Sequence, residues 1–354
     1  MNRLHAFTTA MILIVTTLVV LLFAGCAQEK DPVTPANILP SRVATITTPG
    51  STTDLTVLND TVYIADNTMG IARVALRNQY QLVIPNLEPT NIFGEIVWVG
   101  HDPRSNQLLV ADRDASTGSR FPKQVYSLLG DSLVSLPGLD VSGPRHMEFF
   151  SDPDTVLRIN KSDINGDLYN IYTYKYDSDL GAWALTPGGT NYRPNVPSAD
   201  VQMAVWDKPY AYAAAEEYGF VVLSIPSYDV GPTEYGYTDV PGYALWVEKL
   251  DTLCYVATRS RGVSVVSVAN PAQPRLLTTI PVPNSESMEK LTISTDKKRL
   301  YAMDGNDGIY VLGLSNPAQP VLLGLLPSIS PNSMYVHQDM LLVADQSEGL
   351  IIYR

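Results

Sequence analysis

The pentapeptide NPAQP stands at Asn270–Pro274 and again at Asn316–Pro320, 46 residues later. Proline has no amide hydrogen and holds φ at about −65°, so two prolines in five residues interrupt any strand that runs into them. The contexts repeat along with the phrase. Cys254–Val282 reads CYVATRSRGVSVVSVANPAQPRLLTTIPV, and Leu300–Ser328 reads LYAMDGNDGIYVLGLSNPAQPVLLGLLPS. A short phrase shared by chance does not bring its surroundings with it; a repeated structural unit does.

Within these contexts Tyr255 precedes Gly262 by seven residues, and Tyr301 precedes Gly308 by seven. The same offset joins Tyr63 to Gly70, Tyr212 to Gly219 and Leu342 to Gly349. Two further copies, Leu109 to Gly118 and Leu157 to Gly166, carry two extra residues before the glycine. The seven starting points fall at 63, 109, 157, 212, 255, 301 and 342, 41 to 55 residues apart. That period accommodates four short strands per unit.

One unit reads as follows. An inner strand a, such as MYVHQ (Met334–Gln338), leads through a turn to strand b, such as MLLVAD (Met340–Asp345). A polar loop ends in the unit's glycine, which supplies a positive φ. Strand c follows at once, as in Gly262–Val268 or Gly308–Leu314. NPAQP then turns the chain into the outer strand d, Arg275–Val282 in one copy. These runs predict an all-β protein: a seven-bladed β-propeller of four-stranded antiparallel blades over 41–354. The chain stops after strand c of the last unit, while Ser41–Gly50 precedes strand a of the first. Val43–Thr48 is therefore expected to pair with Gly349–Tyr353 and close the ring, leaving no free edge there.

An Ala-Asp pair or a relative of it, a polar loop, glycine, an aliphatic strand and Asn-Pro-Ala-x-Pro together resemble the LVIVD-repeat family of bacterial β-propellers. The resemblance covers most of 40–354 and is sharpest over 250–354. Ser267 and Gly313 stand where that family's strands often close on an acidic residue.

Composition agrees with a β-rich fold: 45% hydrophobic residues, 20 Tyr, 26 Pro and 23 Gly. The net charge of −12 disfavours a nucleic-acid partner, because phosphate backbones are repelled by an acidic surface. The first 25 residues carry Arg3 and then an apolar run from Met11 to Ala24, too short for a membrane span and of the length of a signal-peptide core. The run ends in Leu22-Phe23-Ala24-Gly25-Cys26, which resembles the lipobox of bacterial lipoproteins. That resemblance implies cleavage before Cys26, lipid on Cys26 and attachment to a membrane. Residues 26–40 are polar and proline-containing and read as a flexible tether. Ala27 is not Asp, so the inner-membrane retention signal of enteric bacteria is missing and the outer membrane or cell surface is the expected location.

No motif for catalysis stands out. His101, His146 and His337 lack HxxH or HExxH spacing, and there is no G-x-S-x-G elbow or phosphate-binding glycine loop. Cys254, inside strand b, reads as a buried structural thiol. Asp163, Asn165 and Asp167 place oxygens at positions 1, 3 and 5 of a calcium-type loop, but Leu168 replaces the turn glycine and Tyr174 the closing glutamate. A polar hairpin turn is the better reading, and no cofactor is expected. Asp66, Asp112, Asp304 and Asp345 recur at the end of strand b. They read either as braces for the b–c loop or as a ring of carboxylates for a cation or basic partner, the first being favoured because every blade needs bracing. A site needs asymmetry instead. The unlike segments on the face of the b–c and d–a loops are 86–95, 113–123, 141–147 and 188–201, the last carrying Tyr192 and Arg193 as candidate recognition side chains for a protein or glycan. Trp98, Trp206 and Trp246 fall on inner strands and are expected in the core. A non-catalytic binding or scaffolding module is the first expectation. An enzyme with its site at the channel mouth (a lyase, hydrolase or quinone-dependent oxidoreductase) is the alternative, with Glu95, His146 and Glu289 the residues that would have to converge.

Overall fold

The chain runs as strands throughout the computed structural model, which describes residues 39–77, 79–87, 94–102, 107–113, 124–129, 132–135, 144–149, 155–162, 168–177, 182–185, 201–226, 232–283 and 285–354. In the strands between 124 and 185 only the backbone is described. Among the described residues there is no helix. Pro40–Arg354 forms one compact unit.

After β1 (Arg42–Ile46), the strands follow in groups of four. These are β2 (Asp54–Leu58), β3 (Thr61–Ala65), β4 (Ile71–Ala75) and β5 (Gln81–Leu87); then β6 (Glu95–Asp102), β7 (Gln107–Arg113), β8 (Gln124–Leu129) and β9 (Ser132–Ser135). Next come β10 (Pro144–Phe149), β11 (Thr155–Ser162), β12 (Leu168–Asp177) and β13 (Ala182–Leu185); then β14 (Met203–Asp207), β15 (Tyr210–Ala215), β16 (Gly219–Ser224) and β17 (Thr233–Thr238). The chain continues with β18 (Trp246–Leu250), β19 (Leu253–Ala257), β20 (Val263–Ser267) and β21 (Arg275–Ile280), and with β22 (Met288–Ile293), β23 (Arg299–Asp304), β24 (Gly308–Gly313) and β25 (Val321–Pro327). It ends on β26 (Pro331–His337), β27 (Met340–Asp345) and β28 (Gly349–Tyr353). Each group of four is one antiparallel sheet in chain order. β26, β27 and β28 take β1 as their fourth strand, in the order β1-β28-β27-β26.

Every repeat start predicted from the sequence lies on the second strand of a sheet. Where side chains are described, second and third strands are mostly buried, and β27 and β28 are buried at every residue. This explains their unbroken apolar runs, since a strand covered on both sides has no polar face to alternate with. The fourth strands are largely exposed, as in β21. The core is a set of slabs between neighbouring sheets. One slab joins Val62, Ile64 and Val74 to Leu342, Leu350 and Ile352; another joins Val263 and Val265 to Leu300, Tyr310 and Leu312.

The repeat glycines Gly70, Gly219, Gly262, Gly308 and Gly349 have the positive φ that the sequence reading requires, while Gly118 and Gly166 lie outside the described residues. Gly349 has φ +90°, and a Cβ there would lie 2.3 Å from the Ile46 carbonyl oxygen; Gly262, at φ +88°, stands in the same relation to Ile280 at 2.3 Å. A side chain at either position would be strained and would push the outer strand away. Ile46 thus does for the last sheet what Ile280 does for its own.

NPAQP forms the same turn twice. Asn270 Oδ1 accepts from the Ala272 amide and its carbonyl from the Gln273 amide; Asn316 repeats both bonds with Ala318 and Gln319. This is an Asx-type turn, which explains the asparagine at the head of the phrase. Each turn also leans on the preceding sheet. Tyr255 donates from its hydroxyl to the Pro317 carbonyl at 2.9 Å. Gly236 sits so close to the other turn that a Cβ would lie 2.2 Å from the Pro271 carbonyl oxygen.

Candidate functional site

Of the recurring aspartates, Asp66, Asp304 and Asp345 are structural fasteners. Asp66, Asp112, Asp304 and Asp345 have no exposed surface. Asp345 Oδ1 accepts from the amides of Ser347 and Glu348, bracing its own loop as expected. Its Oδ2 accepts from Ser328 Oγ at 2.6 Å and from the amides of Ile329 and Ser330, on the loop that enters the sheet's first strand. Asp304 repeats this with Ser285 Oγ (2.8 Å) and the Ser287 amide, and Asp66 with Thr48 Oγ1 (2.7 Å) and the Gly50 amide. The reading of these residues as an accessible carboxylate ring is therefore corrected: their oxygens are buried, and on Asp66, Asp304 and Asp345 they are engaged with loop donors. Hydrogen bonds from several donors hold the Asp345 carboxyl below its ordinary value, although burial works in the opposite direction.

The first strands of successive sheets are joined by polar contacts. The Val247 amide on β18 points at Met203 Sδ on β14, at 3.4 Å. Lys290 of β22 places its ammonium 5.5 Å from the centroid of the Trp246 ring and donates to Ser333 Oγ of β26 at 3.0 Å. Ser333 donates to Asp54 Oδ1 of β2 at 2.5 Å, and Asp54 Oδ2 accepts from the Val99 amide of β6 at 3.4 Å.

At one end of these strands lies a pocket of about 440 Å³, a volume in the range of small-ligand sites. Three successive sheets build it. Glu216 and Arg259 follow the ends of β15 and β19, the same place in two sheets, and both hold a left-handed backbone at φ +44° and +49°. That conformation is costly for residues with a Cβ, by about 1 kcal/mol each. It is imposed by backbone bonds to the next sheet: Glu216 exchanges two hydrogen bonds of 3.0 Å with Ala244, and the Arg259 carbonyl accepts from Met288. Tyr243, Leu245 and Trp246 come from the segment entering β18, and Glu289 and Lys290 from β22. The Arg259 guanidinium lies 5.9 Å from the Tyr243 ring centroid.

Gln202, only 2% exposed, completes the wall. Its Nε2 donates to Glu216 Oε1 at 2.5 Å. That bond fixes the amide orientation, because a carboxylate can accept only from the amide nitrogen. Gln202 Oε1 is then a buried acceptor with no donor among the described residues. Such an atom costs roughly 1–3 kcal/mol while it is unmet.

Of the residues expected to converge for chemistry, Glu289 lines this pocket. Glu95 is bound by Arg113 on its own sheet. His146 lies on β10, where side chains are not described. Trp98, Trp206 and Trp246 are half-buried, and Trp246 is both core and pocket wall. Cys254 is a buried free thiol whose ionisation is pushed up by burial, as suits a structural role. Cys26, Asp163, Asn165, Asp167, Tyr192 and Arg193 lie outside the described residues. No cluster of three or more His, Cys, Asp or Glu fit to hold a metal ion occurs among the described residues. Sequence reasoning missed the pocket. Its one linear trace is the polar pair Glu216 and Arg259 at equivalent positions after strand b.

Comparison with solved structures identifies the architecture. The WD40 repeats of RRP9 superpose with a TM-score of 0.63 at 10% identity, over 89% of this chain and 98% of that one. The WD40 β-propeller domain of Doa1 gives 0.60 at 12%, over 89% and 96%. The chain has the β-propeller fold. The extracellular domain of BT3049 from B. thetaiotaomicron gives 0.60 at 15% identity, with 89% of this chain covering 41% of that one. At these identities the likeness carries fold alone. No protein-family model matches the chain, and no curated protein matches it.

Proposed function

We propose that this protein is a lipid-anchored cell-envelope propeller that binds a partner through the loop face carrying the pocket, without catalysis. The reading has seven blades, one for each sequence unit, and a ring closed by β1 joining β26–β28 in one blade. In support of the closure, β1 pairs with β28 from Arg42↔Tyr353 to Ile46↔Leu350. In support of the count, all seven unit starts fall on separate four-stranded sheets. The LVIVD-repeat resemblance and the Cys26 lipobox belong to the same reading, in which the chain works at the outer membrane or surface of a bacterium.

The observation that carries the binding role is the pocket itself. Its walls come from three sheets and from positions that in other blades hold different residues, so it is asymmetric in a ring of similar parts. Two measurements test the proposal. Radiolabelled palmitate should enter the wild-type chain and not Cys26→Ser. Crosslinking and mass spectrometry on intact cells should capture a partner through residues of the pocket face, and repeated capture of nothing there would sink the binding role.

A second reading keeps some support, because Glu289 lies in a pocket with Arg259 and Lys290. It is an extracytoplasmic enzyme acting at the channel mouth. Glu95 counts against it, being tied to Arg113 on its own sheet instead of joining Glu289.

A further inference from the structure

We infer that the pocket between the sheets of β14, β18 and β22 binds a neutral saccharide. The inference rests on the binding role just proposed and names its ligand class.

The argument begins with charge. The two carboxylates, Glu216 and Glu289, are matched by two cations, Arg259 and Lys290. A lining with no net charge favours neither an anion nor a cation, and it offers donors and acceptors together. The inner cation is partly committed already, since Lys290 donates to Ser333 and lies 3.8 Å from Asp54.

The second element is the orphaned acceptor. Gln202 Oε1 is buried in the wall and has no donor among the described residues, while its amide nitrogen is held by Glu216. A ligand that answers it must bring a hydrogen-bond donor into a nearly closed corner. A hydroxyl does so and can also accept from Arg259. An ionised carboxylate cannot, because it brings only acceptors.

The third element is aromatic. Tyr243, 42% exposed, and Trp246 flank the polar groups. Flat aromatic surfaces beside a mixed set of hydrogen-bonding groups match a sugar ring, whose C–H faces are apolar and whose rim carries hydroxyls. Backbone bonds to Ala244 and Met288 hold Glu216 and Arg259 at the rim, and Gln202 holds the Glu216 carboxylate, which lowers the ordering cost of binding. Glu289 Oε1 accepts from Ser287 Oγ, and the residue after strand b in its own sheet is Gly305, which presents no side chain to it.

The test uses the chain from residue 27 onward with neutral tetraoses of glucose, mannose, xylose and N-acetylglucosamine, followed by calorimetry and by tryptophan emission. At least one should bind one-to-one and shift the emission, while an anionic sialyl-oligosaccharide binds more weakly. Glu289→Gln and Arg259→Asn, on exposed positions and with Asn suited to a positive φ, should each weaken binding about tenfold and leave the melting temperature near wild type. Gln202→Leu should weaken it by a similar factor. Failure of every neutral tetraose at millimolar concentration overturns the inference, as does saturable binding that none of the three variants reduces. If crosslinking on cells still captures a partner in that case, the binding role stands and only the saccharide is lost.

Discussion

Ser41 and Arg354 exchange two backbone hydrogen bonds, Ser41 N to Arg354 O at 2.7 Å and Arg354 N to Ser41 O at 2.9 Å. The start and the finish of the folded unit are thereby one ladder. An ion pair between Arg42 and Glu348 at 2.5 Å lies beside it and adds little in its exposed setting. The strand that this ladder holds, β28, is buried at every residue and packs Leu350 and Ile352 against Ile64 and Val74 of another sheet.

Deletion of Gly349–Arg354 therefore removes more than an edge. It exposes β1 and β27 and strips one side of a core slab, so cooperative thermal unfolding should disappear. A milder probe is Gly349→Val. Its Cβ would collide with Ile46 O, and β-branching disfavours φ +90°. Loss of several kcal/mol is expected, read as a lower midpoint in urea with the same slope. A truncated chain that melts as sharply as wild type would count against the closed ring.

The Asp345 clamp should be among the costlier single positions. Asp345→Ala leaves the Ser328 hydroxyl and up to four loop amides without their acceptor, at a cost of about 3 kcal/mol, while Ser328→Ala costs about 1 kcal/mol. The native carboxyl is held below its ordinary 3.8. A depressed acid contributes stability that is complete above the unfolded value and lost as pH falls through the folded one. The difference between wild type and Asp345→Asn should therefore be constant at neutral pH and shrink below pH 3.8.

Much of this fold was legible in the chain, and the reason is local. A buried strand followed by a left-handed glycine leaves a mark within eight residues, so β3, β15, β19, β23 and β27 follow from Tyr or Leu and Gly alone. Strand a was placed less well: Met334–Gln338 was expected, whereas β26 runs from Pro331 to His337. Its side chains mix buried, half-buried and exposed positions and give no unbroken run to follow. The aspartates were half read. On Asp304 and Asp345 the bracing of the next few residues is local, but all three engaged aspartates also reach Thr48, Ser285 or Ser328, 17 to 19 residues upstream. A hydroxyl residue recurring at that distance was the signal available. The pocket had almost none, because Gln202, Arg259 and Lys290 meet only when three sheets are set side by side.

Gly236 predicts how tightly neighbouring sheets are fitted. In Gly236→Ala the new methyl would stand 2.2 Å from Pro271 O and 2.8 Å from Pro274 Cδ, both on the rigid NPAQP turn. The turn cannot yield without breaking its Asx bonds, so a loss of about 2 kcal/mol is expected. Gly313→Ala is the control. There the nearest atoms belong to the end of the Leu323 side chain, at 3.2 to 3.4 Å, which can rotate away. It should cost under about 1 kcal/mol. Equal melting temperatures for the two variants would refute the docking of the first turn on β17.

Glu248 gives the opposite pH dependence to Asp345. It lies on β18 and accepts from Trp246 Nε1 at 3.4 Å. Burial pushes its carboxyl from 4.5 up to about 7, and the single bond from Trp246 offsets this only in part. A raised acid holds its proton more tightly in the folded state than in the unfolded one. Its effect is absent below pH 4.5, where both states are protonated, and becomes a growing penalty between 4.5 and about 7 as the unfolded state alone ionises. Above about 7 the penalty is complete, on the order of 3 kcal/mol. Glu248→Gln keeps an oxygen for Trp246 and carries no charge. It should leave the melting temperature unchanged at pH 4.5 and raise it by several degrees at pH 8. The two curves should part across that window and run parallel beyond it. A variant that gains nothing at pH 8 would show that the carboxylate is solvated at this place between the sheets, and that β18 is more open to water than its packing against β22 requires.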